Sequence, residues 1–330
     1  MTPVDAACPQ ITASVVTYNS ESCLPRFLDS LQRQTDVAWE ARFHDNASTD
    51  GTAALLRQAG LGQVFVNDTN IGYGRGHNRN LSQSRGSYVL LLNPDLEFEA
   101  GLFNRLSDYL DRHADCAMAG PCILEGSELR PFPPRYFYPG EGMVALQGGL
   151  RRRDIAWISG CCVIIRRHVF ESLNGFDPDY FLYQEDTDLC LRVRRAGYRI
   201  GYAEEATVRH LHRQSQRELS EYDCACRVFR GSTIFLEKHY PESVSDMIRF
   251  QYWLSKVLLW FTPGERRTST LPAAVNRSRL LARRNVCAAW LERNRSSRFR
   301  IAPVTARICA RQCVIALEWM RLRRCPLDDY

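Results

Sequence analysis

The chain has 330 residues, 45% hydrophobic and 24% charged, with a formal net charge of +6. This is the composition of a globular protein with enough apolar mass for one large core or two unequal ones. No apolar stretch approaches the ~20 residues of a membrane span, which argues against an integral membrane enzyme. Residues 1–5 lack the basic and apolar regions of a signal peptide, and the thirteen cysteines contain no CxxC pair or zinc-like grouping. Reduced thiols in a cytoplasmic protein are therefore expected. The charge is unevenly spread. From Pro263 onward there are fifteen Arg, no Lys and five acids, a balance of +10, which leaves −4 for residues 1–262. An acidic body with a basic appendage follows.

In chain order, residues 11–17 read as a strand ending at Tyr18-Asn19, and residues 24–34 as a helix with Pro25 in its first turn and Phe27, Leu28 and Leu31 on one face. Residues 38–44 form a second strand ending at Asp45-Asn46, and Ser48-Thr49-Asp50 starts a helix reaching Ala59. A short strand at 63–67 is followed by the Gly-rich turn Asn70-Ile71-Gly72-Tyr73-Gly74-Arg75-Gly76 and a helix ending near Ser84. The run Tyr88-Val89-Leu90-Leu91-Leu92 carries no charge and ends at Asn93-Pro94-Asp95, the pattern of a buried parallel strand stopped by proline. A helix at 99–112 and a strand at 116–120 continue the alternation, and 121–154, rich in Pro, Gly and Arg, reads as a loop. Beyond it come a strand at 157–166 containing Gly160, a turn at 175–178, a helix at 184–196 opening with Glu185-Asp186, and strands at 198–203 and 207–212. From about Tyr222 the pattern is helical, with residues 246–261 dense in aromatic and aliphatic side chains. Strands alternating with helices at this spacing predict an α/β fold with a mostly parallel central sheet flanked by helices. The expected organisation is a body over 1–240 and an Arg-rich helical region over 241–330.

In a parallel sheet the carboxyl ends of the strands face one way, so Thr17-Tyr18-Asn19, Asp45-Asn46, Asn93 with Asp95, and Glu185-Asp186 can converge on one cleft. Asp45 can accept hydrogen bonds from a base or a ribose, Asp95 can hold a divalent cation, and Asp186 or Glu185 can take a proton from a hydroxyl. Each also has a structural reading: Asp45-Asn46 as a turn cap, Asn93-Pro94-Asp95 as an Asx turn, Glu185-Asp186 as a helix-dipole pair. Gly72-x-Gly74-x-Gly76 is no dinucleotide fingerprint, because His77 stands where a glycine is required after Gly74. It fits a turn with positive φ or a close backbone approach. His210 and His212 share a strand face, where His210 is either a packing residue or a metal ligand.

The ordered motifs Val15-Val16-Thr17-Tyr18-Asn19, His44-Asp45-Asn46-Ala47-Ser48-Thr49-Asp50-Gly51-Thr52, Asn70-Ile71-Gly72-Tyr73-Gly74, Leu92-Asn93-Pro94-Asp95, Gly175-Phe176-Asp177, Phe181-Leu182-Tyr183-Gln184-Glu185-Asp186 and Val208-Arg209-His210 resemble glycosyltransferase family 2, within it the rhamnosyltransferase-like branch. The resemblance covers residues 11–240. It implies a GT-A fold, a nucleotide-sugar donor, a divalent cation (Mg²⁺ or Mn²⁺) and inverting transfer, with L-rhamnose from dTDP-rhamnose the expected sugar and a polysaccharide, lipopolysaccharide or lipid-linked glycan the expected acceptor. It also implies donor contacts from Thr17, Tyr18, Asn19, Asp45, Asn46, Gly72, Arg75 and Asn93, metal contacts from Asp95 and His210, and Asp186 as general base supported by Glu185. Asn93 stands where the family's metal motif usually begins with Asp, so fewer negative charges face the cation.

Two other functions fit parts of the pattern. A nucleotidyltransferase would need a basic Gly-rich loop after its first strand, and Thr17-Tyr18-Asn19-Ser20-Glu21 is not one. An inactive glycan-binding scaffold would have no use for Asp45, Asp95 and Asp186 together. The apolar helix followed by arginines suggests a contact with an anionic membrane surface at the inner face of the cytoplasmic membrane, set against packing on the catalytic body. A homo-oligomer is compatible with the chain, and no nucleic-acid motif is present.

Overall fold

The computed structural model describes residues 9–126, 128–141, 154–211, 220–261 and 277–294. These fall into two compact units, one made of 9–126, 128–138 and 154–211, the other of 139–141, 220–261 and 277–294. The second unit therefore takes in the whole helix that begins at Glu221.

The first unit is built on a nine-stranded sheet in the order β3-β2-β1-β4-β8-β6-β9-β5, with β7 paired to β6. Its strands are β1 (Ile11–Thr17), β2 (Trp39–Asp45), β3 (Gly62–Val66), β4 (Tyr88–Leu92), β5 (Leu96–Phe98), β6 (Cys116–Glu125), β7 (Arg130–Phe132), β8 (Cys162–Arg166) and β9 (Arg199–His210). The connecting helices are α1 (Leu24–Gln32), α2 (Thr52–Ala59), α3 (Tyr73–Leu81), α4 (Leu102–Arg112), α5 (Arg167–Ser172) and α6 (Glu185–Arg195). The expected parallel sheet is present from β3 to β4 and again between β6 and β9, while β8, β7 and β5 pair antiparallel to their neighbours.

Along β4 the side chains alternate between two cores. Leu90 and Leu92 join Val15, Phe27 and Leu106 on one face, and Val89 and Leu91 join Ile165, Phe176 and Leu189 on the other. A strand buried on both faces has no polar stripe, which is why this run reads as continuous in the sequence. Strand β1 differs, because Ser14 faces α3 through a polar layer. Ser14 Oγ lies 2.7 Å from His77 Nδ1, and Asn80 Nδ2 donates to Ser14 Oγ, Val15 O and Arg42 O. Burial, with His44 nearby, pushes His77 down to about 3, so its ring is neutral in this layer. The bonds anchor α3 on the sheet and fix where its N-terminus points.

Sequence expectations change at several places. Gly74 and Gly76 lie inside α3, and a Cβ would come within 2.8 Å of Phe176 at the first and of Val16 at the second. They let the helix approach its neighbours, and only Gly72 of the three has positive φ, at 93°. The expected loop at 121–154 begins with the rest of β6 and with β7, because Pro121 sits at a register shift against β9 and does not end the strand. The strand expected at 157–166 is confined to β8, with Trp157 forming an isolated bridge to Arg135. The two strands expected at 198–203 and 207–212 are one strand, β9. His212 and residues 142–153 lie outside the described residues.

The link between β4 and β5 dictates the shape of this sheet. Leu92 and Leu96 are joined by three residues, a reach of at most ~14 Å, yet β5 sits four strand positions from β4, about 19 Å if the sheet were flat. The sheet must curl, which brings the far strands β9 and β5 back beside the end of β4.

The second unit consists of α7 (Glu221–His239), α8 (Val244–Phe261) and α9 (Arg277–Arg293). Phe235, Leu236, Met247, Ile248, Leu280 and Trp290 are buried in it, and Trp290 Nε1 donates to Glu237. No described helix is long and apolar enough to cross a membrane.

Candidate functional site

The register aligns the carboxyl ends of the first strands. Thr17 pairs with Asp45, Asp45 with Val66, and Val15 with Leu92. Strand β8 runs the opposite way, with Cys162 opposite Leu92, so Gly160-Cys161 enter at this same rim.

Thr17, Asp45 and Asn46 build the wall of the rim and are themselves buried. Asp45 Oδ1 accepts from the hydroxyls of Thr17 (2.9 Å) and Ser48 (2.5 Å), and Oδ2 accepts from Ser48 N (3.1 Å). The sequence expectation of a direct donor contact at Asp45 thus meets a carboxylate already engaged in shaping the turn. Asn46 Nδ2 donates to Gly72 O (3.1 Å) and its Oδ1 accepts from Asn67 (2.9 Å), tying the ends of β2 and β3 to α3. Asn19 Oδ1 accepts from Thr49 N, and Tyr18 presents a ring 41% exposed at the rim. Gly72 is needed where it stands, since a Cβ there would lie 2.5 Å from Phe181 O. Arg75 is exposed on α3 and its Nε donates to Pro178 O at 2.8 Å, so its position is set by the 175–178 turn.

Two carboxylate centres meet across one dipeptide. Gly160 N–H donates to Asp186 Oδ2 at 2.9 Å, and the carbonyl of the following residue, Cys161, accepts from Asn93 N–H at 2.8 Å. The helix carrying Asp186 and the turn carrying Asp95 are therefore held by the backbones of two consecutive residues. Tyr73, at the start of α3, donates its hydroxyl to Gly160 O at 2.8 Å and completes the clamp. Burial, and then the charge of Asp186, pushes Glu185 up to about 8. Burial also raises Asp186, opposed by N–H bonds from Gly160 and Thr187. Two adjacent acids at the opening of a helix, both raised, are suited to proton transfer near neutral pH.

Asp95 is buried and faces His210, with Oδ1 to Nε2 at 3.3 Å, while His210 Nδ1 lies 3.2 Å from Glu125 Oε1. Burial lowers His210, but hydrogen bonding to Asp95 and Glu125 outweighs it and raises the ring to about 9. The register explains the trio, since His210 pairs with Leu96 on one side and Glu125 on the other. Sequence reasoning missed Glu125 because it fell in the expected loop, and only the length of β6 brings it here. An imidazole whose far nitrogen meets a carboxylate is oriented as metal-binding histidines are. The ion pair leaves Asp95 Oδ1 without a well-aligned hydrogen bond. With the Nε2 proton displaced by the ion, Asp95 and His210 would fit a divalent cation as a two-residue set. Among the described residues no group of three or more His, Cys, Asp or Glu could hold one unaided, so phosphate and water oxygens would complete the shell.

Comparison with known proteins agrees with this architecture. The model for glycosyl transferase family 2 matches residues 12–173, and that for glycosyl transferase family group 2 matches 139–249. The chain is 29% identical over 234 residues to the N-acetylglucosaminyl-diphospho-decaprenol L-rhamnosyltransferase of Mycobacterium tuberculosis, covering 59% of this chain and 74% of that protein. It is 24% identical over 266 residues to the O-antigen chain rhamnosyltransferase WbaN of Salmonella anatum, covering 76% and 84%. The mannosyltransferase PcManGT of Pyrobaculum calidifontis, solved with GDP-Man and Mn²⁺, superposes with a TM-score of 0.50 at 17% identity, over 94% of this chain and 81% of that one. The two family models run jointly from 12 to 249, across the curled sheet and every rim residue described above. The chain belongs to glycosyltransferase family 2, as a rhamnosyltransferase-like glycosyltransferase of GT-A fold.

Proposed function

We propose that the enzyme moves L-rhamnose from dTDP-rhamnose to a hydroxyl of a lipid-linked or cell-surface glycan, with inversion at the anomeric carbon. The observation that carries this reading is the Gly160-Cys161 dipeptide, which holds Asp186 through the Gly160 N–H and the Asn93–Asp95 turn through the Cys161 carbonyl. A general base beside a phosphate-facing acid is what direct displacement of a nucleoside diphosphate requires. Both relatives described above are named rhamnosyltransferases, which favours the sugar, and one is named for a decaprenol-linked acceptor, which favours a lipid-linked substrate.

In this reading Asp186 takes the proton of the acceptor hydroxyl as its oxygen attacks the anomeric carbon and the diphosphate leaves. Glu185 supports Asp186 from the adjacent position, itself kept protonated by burial and by the charge of Asp186. Tyr18 and Asn19 face the nucleoside, on a wall built by Thr17, Asp45 and Asn46. Gly72 allows close approach of the donor, with Arg75 and Asn93 at its margins. Asp95 and His210 would hold Mg²⁺ or Mn²⁺, which when bound offsets the negative charge of the departing diphosphate. The Arg-rich region after Pro263 would draw the enzyme to an anionic membrane surface bearing the acceptor.

A thermal-shift panel of dTDP-rhamnose, UDP-sugars and GDP-sugars with Mn²⁺ or Mg²⁺ tests the donor. A ligand at a hundred times its Kd adds about 2.7 kcal/mol to stability, which is about 4 °C for a protein of this size. Asp186→Asn should lower transfer about 10²–10⁴-fold while donor affinity stays nearly unchanged. Unchanged turnover would refute the role of Asp186, and a panel with no response to dTDP-rhamnose would refute the donor.

A further inference from the structure

The second unit carries a surface that the transfer chemistry does not use. Helix α8 buries Val244, Met247, Ile248 and Ser255 along one side. On another side Trp253, Val257 and Trp260 stand 63%, 42% and 87% exposed. At about 100° per residue the three side chains fall within about 60° of one another and form one ridge. Single exposed apolar residues are ordinary, whereas two tryptophans and a valine in line are not. Lys256 borders the ridge, 5.5 Å from the ring of Tyr252 and 5.1 Å from that of Trp253. The helical period puts Arg249 on the same flank as Lys256.

The chemistry of this ridge selects its occupant. Indole rings combine an apolar body with one N–H and concentrate at the headgroup boundary of a bilayer. Cations beside them match lipid phosphates, and the chain that follows carries the +10 balance from Pro263 onward. No described helix is long and apolar enough to span a membrane, and an amphipathic helix of this composition suits a position along a bilayer surface. We propose that α8 docks the protein on an anionic bilayer by seating Trp253, Val257 and Trp260 at headgroup level, with Lys256 facing lipid phosphate. The inference rests on the reading above only for its purpose, a membrane-borne acceptor.

The test is co-sedimentation of the full chain with vesicles of phosphatidylcholine alone and of phosphatidylcholine mixed equally with phosphatidylglycerol. Wild type should sediment with the mixed vesicles and release in high salt. The double variant Trp253→Ala/Trp260→Ala should bind at least ~10-fold more weakly, with an unchanged circular dichroism spectrum and unchanged turnover on a soluble acceptor analogue. Lys256→Glu, which leaves the ridge intact, should also weaken binding to mixed vesicles. Wild-type binding by the double variant would overturn the proposal, because the arginines alone would then suffice. So would a wild type that ignores both vesicles, or a wild-type dimer that the double variant converts to monomer, which would make the ridge an interface between copies. Vesicle binding without any glycosyl transfer would refute the proposed reaction and leave this inference standing.

Discussion

Tyr73→Phe isolates the clamp that joins the start of α3 to the proposed base. The Tyr73 hydroxyl donates to Gly160 O at 2.8 Å, and the N–H of Gly160 donates to Asp186 Oδ2 at 2.9 Å. Burial, and after it Glu185, holds the phenol far above its ordinary pKa, so it remains a donor at any working pH. Phenylalanine keeps the ring contacts with His77 at 4.4 Å and Phe176 at 6.0 Å, so the substitution removes one hydrogen bond and little packing. Losing it costs about 1 kcal/mol, rising to ~3 if the Gly160 carbonyl stays dry. If that loss is felt where Asp186 meets the acceptor, kcat falls about 5- to 160-fold. Initial rates for wild type, Tyr73→Phe, Asp186→Asn and the double variant decide the matter. The expected result is a lower kcat with little change in donor KM, and no further loss on adding Tyr73→Phe to Asp186→Asn, because the effect runs through the carboxylate. A looser Gly160 N–H also stabilises the Asp186 anion less, so the acid limb of the rate profile should move to higher pH. Fully additive losses, or a lower melting temperature with kcat and pH profile unchanged, would refute the clamp and leave Tyr73 a packing residue.

The remaining predictions concern the other acids. Because burial raises Glu185 from 4.5 to about 8, the folded protein binds more protons than the unfolded chain across that window. Its contribution to stability is fully present below pH 4.5 and is lost as pH rises through about 8. Glu185→Gln should therefore flatten the fall of melting temperature over this range, and an unchanged slope in thermal melts would count against the buried pair. Glu125→Gln removes the charge behind His210 and should weaken Mn²⁺ binding about 10- to 100-fold. Calorimetric titration with Mn²⁺ in the presence of dTDP reads this directly, and equal affinity in wild type and variant would exclude Glu125 as support for a metal ligand.

Some of this architecture is written locally. Strands β1 and β4 and helix α1 follow from apolar runs, from Pro25 in a first helical turn and from Pro94 at a strand end. The rim residues Thr17, Asp45 and Asn93 are legible because parallel strands must deliver their carboxyl ends together. Gly72 announces a positive φ, yet the work of Gly74 and Gly76 shows only in the packing of α3 on Phe176 and Val16. Strand β5 is only three residues long, and β6 passes through a proline by shifting register, so neither carries a periodic signal of its own.

The amino-acid sequence by itself determined the α/β alternation, the convergence of acids on one rim and the family resemblance, because those depend on side-chain period and on motif order along the chain. The tertiary structure decided which acids meet. Three residues between β4 and β5 cannot reach across four strands of a flat sheet, so the sheet curls. Asp95 is thereby brought to His210, 115 residues away in sequence, whose other ring nitrogen meets Glu125. Likewise Asp45, which reads as an acceptor for a base or a ribose, already accepts from Thr17 and Ser48 once the turn closes. A carboxylate's available lone pairs depend on what folds against it, and no local pattern encodes that.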